Sequence, residues 1–487
     1  MSLAQRTLSG FIWTLTSRIG TRISIFVVGI ILARLLTPSD FGLIAMLGIF
    51  FAISTSLVDS GFTQALIREK EITEVHKSTA FFINLIISIT IYAVLWFTSP
   101  LIARFFEQPQ LIWLTRVMGL NLIFKALSIV QRAMLMQGLR FKLLSGIDVG
   151  VSILTGIFAI GLAYYGFGVW SLAIKYFLFS LLVTIAFWIN NPWIPKSFIN
   201  KKSFHHLFGF GSRLMATGLL NTLYNNVYKL VIGRYFSAAT LGFYDRASHF
   251  TTQGVSGILT PLQQVTYPVL SKTQNDQSRL KKAFRKVILA TTFVIFPLAL
   301  LLGFMAEPLI LFLLGDQWAE AIPFMQILCA GALITHLSSI NLNLFKVVRR
   351  SDLYLKVSVI NKIFMTIAII VGLQFGIWGL IAGKIVSQYV EAIVCMFFTS
   401  RNIEYPVFNQ FKDILPMAVL LIPTSFVLIG LNVLNIDSHL ITLLLMGTLG
   451  GGVYFLIAWI NNSEALDEIR KVILPRLKKQ GPVIINS

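Results

Sequence analysis

The chain has 487 residues and a formal net charge of +20, yet only 12% of it is charged and 56% is hydrophobic. That balance excludes a soluble enzyme, and it leaves the basic excess without a soluble module on which to build a nucleic-acid face, so no nucleic-acid partner is expected. Its two cysteines, Cys329 and Cys395, lie inside apolar segments, which excludes a disulfide framework and a thiolate metal site.

Apolar stretches of roughly 20 residues, each sized to a hydrocarbon core of about 30 Å, recur from end to end. They predict an all-α polytopic membrane protein with about fourteen transmembrane helices. The first, about 11–34, contains "IWTLTSRIGTRISIFVVGIILARLL" and places Arg18 and Arg22 in its first half. It is too long and too charged for a cleavable signal peptide, so none is expected. Spans follow at about 41–64, 79–103, 111–135, 145–165 and 168–190. The second half adds about 207–233, 241–270, 287–314, 321–345, 354–373 and 377–399, and a final pair runs at about 414–434 and 439–461.

Basic residues orient this stack. With the N-terminus inside, the inner loops hold 26 Lys and Arg and the outer loops only Arg34, Arg104 and Arg234. The bias predicts both termini in the cytoplasm. Anionic inner-leaflet lipids account for the basic inner loops.

Eleven cations remain within the spans: Arg18, Arg22, Arg116, Lys125, Arg132, Lys175, Arg213, Lys229, Arg246, Lys362 and Lys384. Acids at similar depth are Asp59, Asp148, Asp245 and Glu391. Each central cation costs about 2.5–3.5 kcal/mol on insertion scales, so eleven facing lipid would cost roughly 30 kcal/mol. Lys175, Lys362 and Lys384 can snorkel. The others are expected to face the bundle interior or a water-filled cavity that is net positive and suited to an anion.

The sequence also repeats itself. "LARLLTPSDFGLIAM" at 32–46 matches "IGRYFSAATLGFYDR" at 232–246, with Arg34 over Arg234 and Gly42 over Gly242. "GFGVWSLAIK" at 166–175 matches "QFGIWGLIAG" at 374–383, with Gly168 over Gly376 and Trp170 over Trp378. Six helices therefore repeat as six. The expected organisation is two pseudo-symmetric six-helix lobes, 1–205 and 206–405, an extra transmembrane helix pair at 406–462 and a basic cytoplasmic tail at 463–487. Parallel repeats of this kind are the architecture of alternating-access transporters, with substrate held between the halves.

"MSLAQRTLSGFIWT", "LARLLTPSDFGLIAM", "LVDSGFTQALIREKEIT", "YPVLSKTQNDQSRLKKAFRK" and "LLGDQWAEAIPFMQILC" together resemble the Wzx-type polysaccharide exporters. These are lipid-linked oligosaccharide flippases of the multidrug/oligosaccharidyl-lipid/polysaccharide exporter superfamily, and the colanic acid and teichuronic acid exporters are the most similar. The resemblance covers essentially the whole chain and rests on no catalytic signature. It implies flipping of undecaprenyl-pyrophosphate-linked repeat units from the cytoplasmic to the outer leaflet of a bacterial inner membrane, for surface polysaccharide biosynthesis. It also implies a pair of lobes around a cationic cavity, ion-exchange drive, and a pathway shared with a polysaccharide polymerase and glycosyltransferases.

The residues are consistent with that. Arg18 and Arg22, four apart, share a helix face and can grip a diphosphate with charge-assisted hydrogen bonds. The cationic cavity is expected to draw on Arg18, Arg22, Arg213, Lys229, Arg246, Arg132, Lys125 and Arg116. Arg18, Arg22 and Arg213 are expected to face one another across the cleft. Asn221, Tyr224, Asn225 and Tyr228 are candidates for sugar contacts, with helix–helix hydrogen bonding as the competing role. Asp59, Asp245 and Glu391 are candidates for H⁺ or Na⁺ coupling, or structural counter-ions. No cofactor, metal ligand set or catalytic constellation is expected. A drug/cation antiporter of the same superfamily shares the fold but favours an apolar, acidic cavity. A membrane polymerase or glycosyltransferase needs a large outer loop, and the outer loops here are short. The chain carries no Walker motif, so ATP is not the direct drive.

Overall fold

A computed structural model of the chain describes residues 20, 23–59, 66, 73–434, 436–461 and 463–467; the side chains of 202, 204–217 and 265 lie outside that set. The described residues form helices and short connections and no strand. In the first half these are α1 (Ile23–Leu35), α2 (Pro38–Asp59), α3 (Glu74–Phe106), α4 (Leu111–Gln137), α5 (Phe141–Tyr164) and α6 (Val169–Asn190). Two 35-residue helices follow, α7 (Lys201–Tyr235) and α8 (Ala238–Lys272). The remainder comprises α9 (Gln277–Phe304), α10 (Ala306–Leu314), α11 (Ala321–Val347), α12 (Ser351–Leu373), α13 (Gly376–Ile403), α14 (Val407–Val433) and α15 (His439–Ile460).

Eleven of these are long and apolar enough to cross a membrane: α2 to α6, α9, and α11 to α15. With α1, α7 and α8, each of the fourteen expected positions holds a helix, and the chain is a multi-pass membrane protein. One expectation is corrected. The apolar run 287–314 is not one helix but α9 and α10, parted at Met305. Pro308 explains the break, because its ring clashes with the carbonyl four residues earlier, at Phe304, and it carries no N–H. Several helices also begin before their apolar stretch does. Thr73 caps α3 by accepting from His76 N at 3.3 Å, and Asp276 caps α9 by accepting from Arg279 N at 3.0 Å. Capping lets a polar first turn extend beyond the hydrocarbon, where hydropathy no longer registers it. The same Arg279 N–H holds the exposed Asp276 carboxyl below the usual carboxylate range.

By packing, the chain divides into two compact units, 1–245 and 246–487. In the first, α2 lies against α7, α4 and α3, while α4 packs on α3 and α6. In the second, α9 packs on α11 and α14, and α13 on α11 and α12. The second core runs from Phe284 and Phe293 of α9 through Met396 of α13 to Met417 and Tyr454 of the last helix pair. Arg285 fastens that pair at one end: it forks onto Asp413 at 2.9 and 2.8 Å and pairs with Glu464. Tyr405, between α13 and α14, donates to the same Asp413. Burial and that acceptor push the Tyr405 hydroxyl above its ordinary range, so it remains a donor.

The internal repeat is visible in backbone detail. Gly168 and Gly376, matched by sequence, both have positive φ, +52° and +70°. Thr37 and Ser237, 200 residues apart, open α2 and α8 with the same cap: Asp40 N donates to Thr37 Oγ1 at 3.3 Å and Thr240 N to Ser237 Oγ at 3.0 Å. The two copies of this motif also touch. A methyl at Gly42 would lie 1.7 Å from the Ala238 carbonyl oxygen, and one at Gly242 2.0 Å from that of Pro38. Position 42 thus sits on 238 and position 242 on 38, a reciprocal contact of the kind a local two-fold axis produces. Only glycine permits so close a backbone approach.

Candidate functional site

Helix α7 carries a regular polar series in a spanning position. Arg213, Thr217, Asn221, Asn225 and Lys229 follow one another at four-residue intervals, a slanting stripe down the helix. Neither α7 nor α8 belongs to the eleven strongly apolar helices. Asn221 and Asn225 are exposed and Tyr224 half-buried, whereas Tyr228 is buried. Neighbouring Asn226 turns its amide onto the Thr222 carbonyl of its own helix at 2.8 Å. The four-residue interval is written in the sequence and becomes a single stripe only when the segment is helical.

The stripe ends on an ion pair, Lys229 Nζ to Asp245 Oδ1 of α8 at 2.6 Å. A matching pair joins α4 and α5, where Arg132 donates to both Asp148 oxygens at 3.4 and 3.1 Å. Each pair is 16 residues apart in sequence and straddles a tight turn, so the partners sit at similar depth on facing helices. Five to seven residues from the helix ends at the turn is about 8–10 Å along each helix. Two of the expected cavity cations are therefore neutralised locally, and Asp245 is one of those counter-ions.

Lys125 lies two turns from Arg132 on the same face of α4, half-buried, within electrostatic reach of Asp59 and Arg132. Asp59, Lys125, Arg132 and Asp148 thus form a charged track across α2, α4 and α5. Arg116 stands apart. Nine residues from Lys125, it projects from the opposite face of α4, because nine steps of 100° leave half a turn. Its guanidinium lies 4.5 Å from the Trp96 ring and 5.0 Å from that of Trp113, and its Nε donates to Ser99 Oγ at 3.2 Å. Cation–π and hydrogen-bond contacts satisfy it near one membrane boundary.

In the second unit, Glu391 lies half-buried on α13. Arg246 is half-buried at that unit's first position. Arg18 and Arg22 lie outside the described residues, as does the side chain of Arg213.

Residues 31–323 match the family described as "Polysaccharide biosynthesis protein". The chain is 25% identical to the teichuronic acid biosynthesis protein TuaB of Bacillus subtilis, over 72% of this chain and 73% of that one. It is 24% identical to the lipopolysaccharide biosynthesis protein WzxC of Escherichia coli, over 84% of each. Among solved structures, the lipid II flippase MurJ in an inward closed conformation superposes with a TM-score of 0.72 at 17% identity, covering 94% of this chain and 100% of that one. That likeness shows the fold.

Proposed function

We propose, on the premise that this chain belongs to the polysaccharide biosynthesis protein family, that it flips polyprenyl-pyrophosphate-linked oligosaccharides across the bacterial inner membrane. It is a transporter and not an enzyme. The cargo has an anionic, sugar-bearing head too polar for hydrocarbon and a polyprenyl tail that stays in lipid. Moving it needs a wet path lined by cations and hydrogen-bonding groups, and no bond is made or broken. In our reading residues 1–205 and 206–405 act as the two repeats, both termini are cytoplasmic, and the path opens alternately to either side.

The observation that carries the proposal is the polar stripe of α7. A helix spanning lipid has no use for Asn221, Asn225 and Lys229 in succession; one lining a sugar path does. Amides donate to and accept from hydroxyls, and Tyr224 offers a ring face. The head's diphosphate is assigned to Arg18, Arg22 and Arg213, whose guanidinium forks match phosphate oxygens. Asp59 and Glu391 are the acids we assign to H⁺ or Na⁺ exchange. An interior-negative potential adds about 2.3 kcal/mol per charge per 100 mV in favour of outward movement of an anion.

Reconstitution tests this directly. Proteoliposomes holding the chain and a polyprenyl-pyrophosphate oligosaccharide should expose the sugar to an external glycosidase faster than protein-free vesicles. Asn221→Leu with Asn225→Leu should abolish that gain. Equal exposure with and without protein would refute the proposal.

A further inference from the structure

The repeat gives the chain two copies of one turn, alike in backbone and unlike in how their shared arginine is neutralised. Between α4 and α5 the turn is Gly138-Leu139-Arg140-Phe141-Lys142; between α11 and α12 it is Val348-Arg349-Arg350-Ser351-Asp352. The backbones agree. Leu139 and Arg349 have φ of 53° and 57°, and the N–H groups of Arg140 and Arg350 reach back to Leu135 O and Phe345 O, each at 2.9 Å. Arg140 and Arg350 are therefore equivalent, each at the N-cap of a spanning helix.

In the second copy the arginine is satisfied within the chain. Arg350 forks onto Asp352 through Nε and an Nη, both at 2.8 Å, and its other Nη donates to Asn402 at 3.4 Å. Asn402 lies near the end of α13. In the first copy Asn190, the last residue of α6, lines the same pocket, but the carboxylate is missing: the position of Asp352 is held by Lys142. Arg140 makes no ion pair among the described residues. Where the second copy has a carboxylate, the first has a cavity of about 520 Å³, lined by Arg140, Lys142, Asn190, Leu143, Gly146 and Ile147.

We infer that this cavity holds the phosphate of an anionic phospholipid headgroup, which takes the place of the missing Asp352 carboxylate. A phosphodiester presents two oxygens to the Arg140 fork just as Asp352 does to Arg350, with Lys142 supplying the second charge. The site lies at the membrane boundary, where α5 begins, and the first N–H groups of that 24-residue helix favour an anion. Leu143, Gly146 and Ile147 form an apolar wall along the same helix, which suits the glycerol and acyl portion of a lipid and offers nothing to a free ion. The site is separate from the α7 stripe and independent of the cargo.

The full chain, purified in detergent, tests this by titration with short-chain phosphatidylglycerol and, separately, inorganic phosphate, with binding read by native mass spectrometry. Phosphatidylglycerol should fill one saturable site. Lys142→Asp rebuilds the self-neutralised turn that the second copy already folds, and should abolish the site. Arg140→Ala with Lys142→Ala should weaken it by about thirtyfold, at about one kilocalorie per basic residue. Asp352→Lys removes the internal partner of Arg350 and should create a second site. Unchanged lipid binding in Lys142→Asp would overturn the inference. So would inorganic phosphate displacing the lipid at equal concentration, which would make the cavity a soluble-anion site.

Discussion

Gly42→Ala and Gly242→Ala place a methyl into the same backbone contact from opposite sides. Real Cβ atoms essentially never approach a heavy atom within 3.0 Å, so the Ala238 carbonyl must retreat by at least 1.3 Å from the 1.7 Å it would have, and that of Pro38 by 1.0 Å from 2.0 Å. Neither obstacle is a side-chain end that can swing aside. The first turns of α2 and α8 must separate, and forced repacking of this kind costs about 1–3 kcal/mol. Because the contact is reciprocal, either substitution already opens the space the other needs. The double variant is therefore expected to cost little more than the worse single, giving a coupling energy of about 1 kcal/mol or more. Thermal unfolding of the four purified proteins in one detergent completes the cycle. Additive losses, or no loss in either single, would refute the reciprocal packing.

Arg285→Ala should destabilise the second unit by about 2–3 kcal/mol, below the fully buried range because a third of that side chain is exposed, read as lower thermal stability. Lys229→Met should lower stability by about 2 kcal/mol by stranding Asp245, and adding Asp245→Asn should recover most of it; no recovery would mean that the pair is not the structural element described here. Arg18→Ala or Arg22→Ala should abolish polysaccharide export with normal protein in the membrane, as removing an embedded cation eases insertion; lost protein level instead would point to a structural ion pair.

Helix positions were legible because a bilayer demands the same apolar length each time, and the repeat because Gly42, Gly242, Gly168 and Gly376 do work that no other residue can. The break at Met305 was written in Pro308 but masked by the apolar run around it. Counter-ions were harder to see. Arg132 with Asp148 and Lys229 with Asp245 look like stray charges until the turn between them is located, after which their similar distance from it identifies the pair. Arg116 shows the opposite limit: composition counts it as a cavity cation, and only the half-turn separating it from Lys125 sends it toward Trp96 and Trp113. A count of embedded charge measures a need for partners, not their kind.

The packing of α2 against α7 carries a cost in time during synthesis. Asp59 ends α2 long before Lys201 begins α7, an interval of about 7–30 s at ordinary rates of elongation. Through that interval α2 must wait in lipid without its main partner, which its nearly uniform apolar surface allows. The polar α7 cannot wait in the same way. A helix that partitions poorly by itself depends on a receptive neighbour already in place, so the order of the chain makes the early helix the docking platform for the late one. Substitutions that roughen the waiting face of α2 should therefore show themselves first as failed insertion of α7, before any defect in the finished protein is measurable.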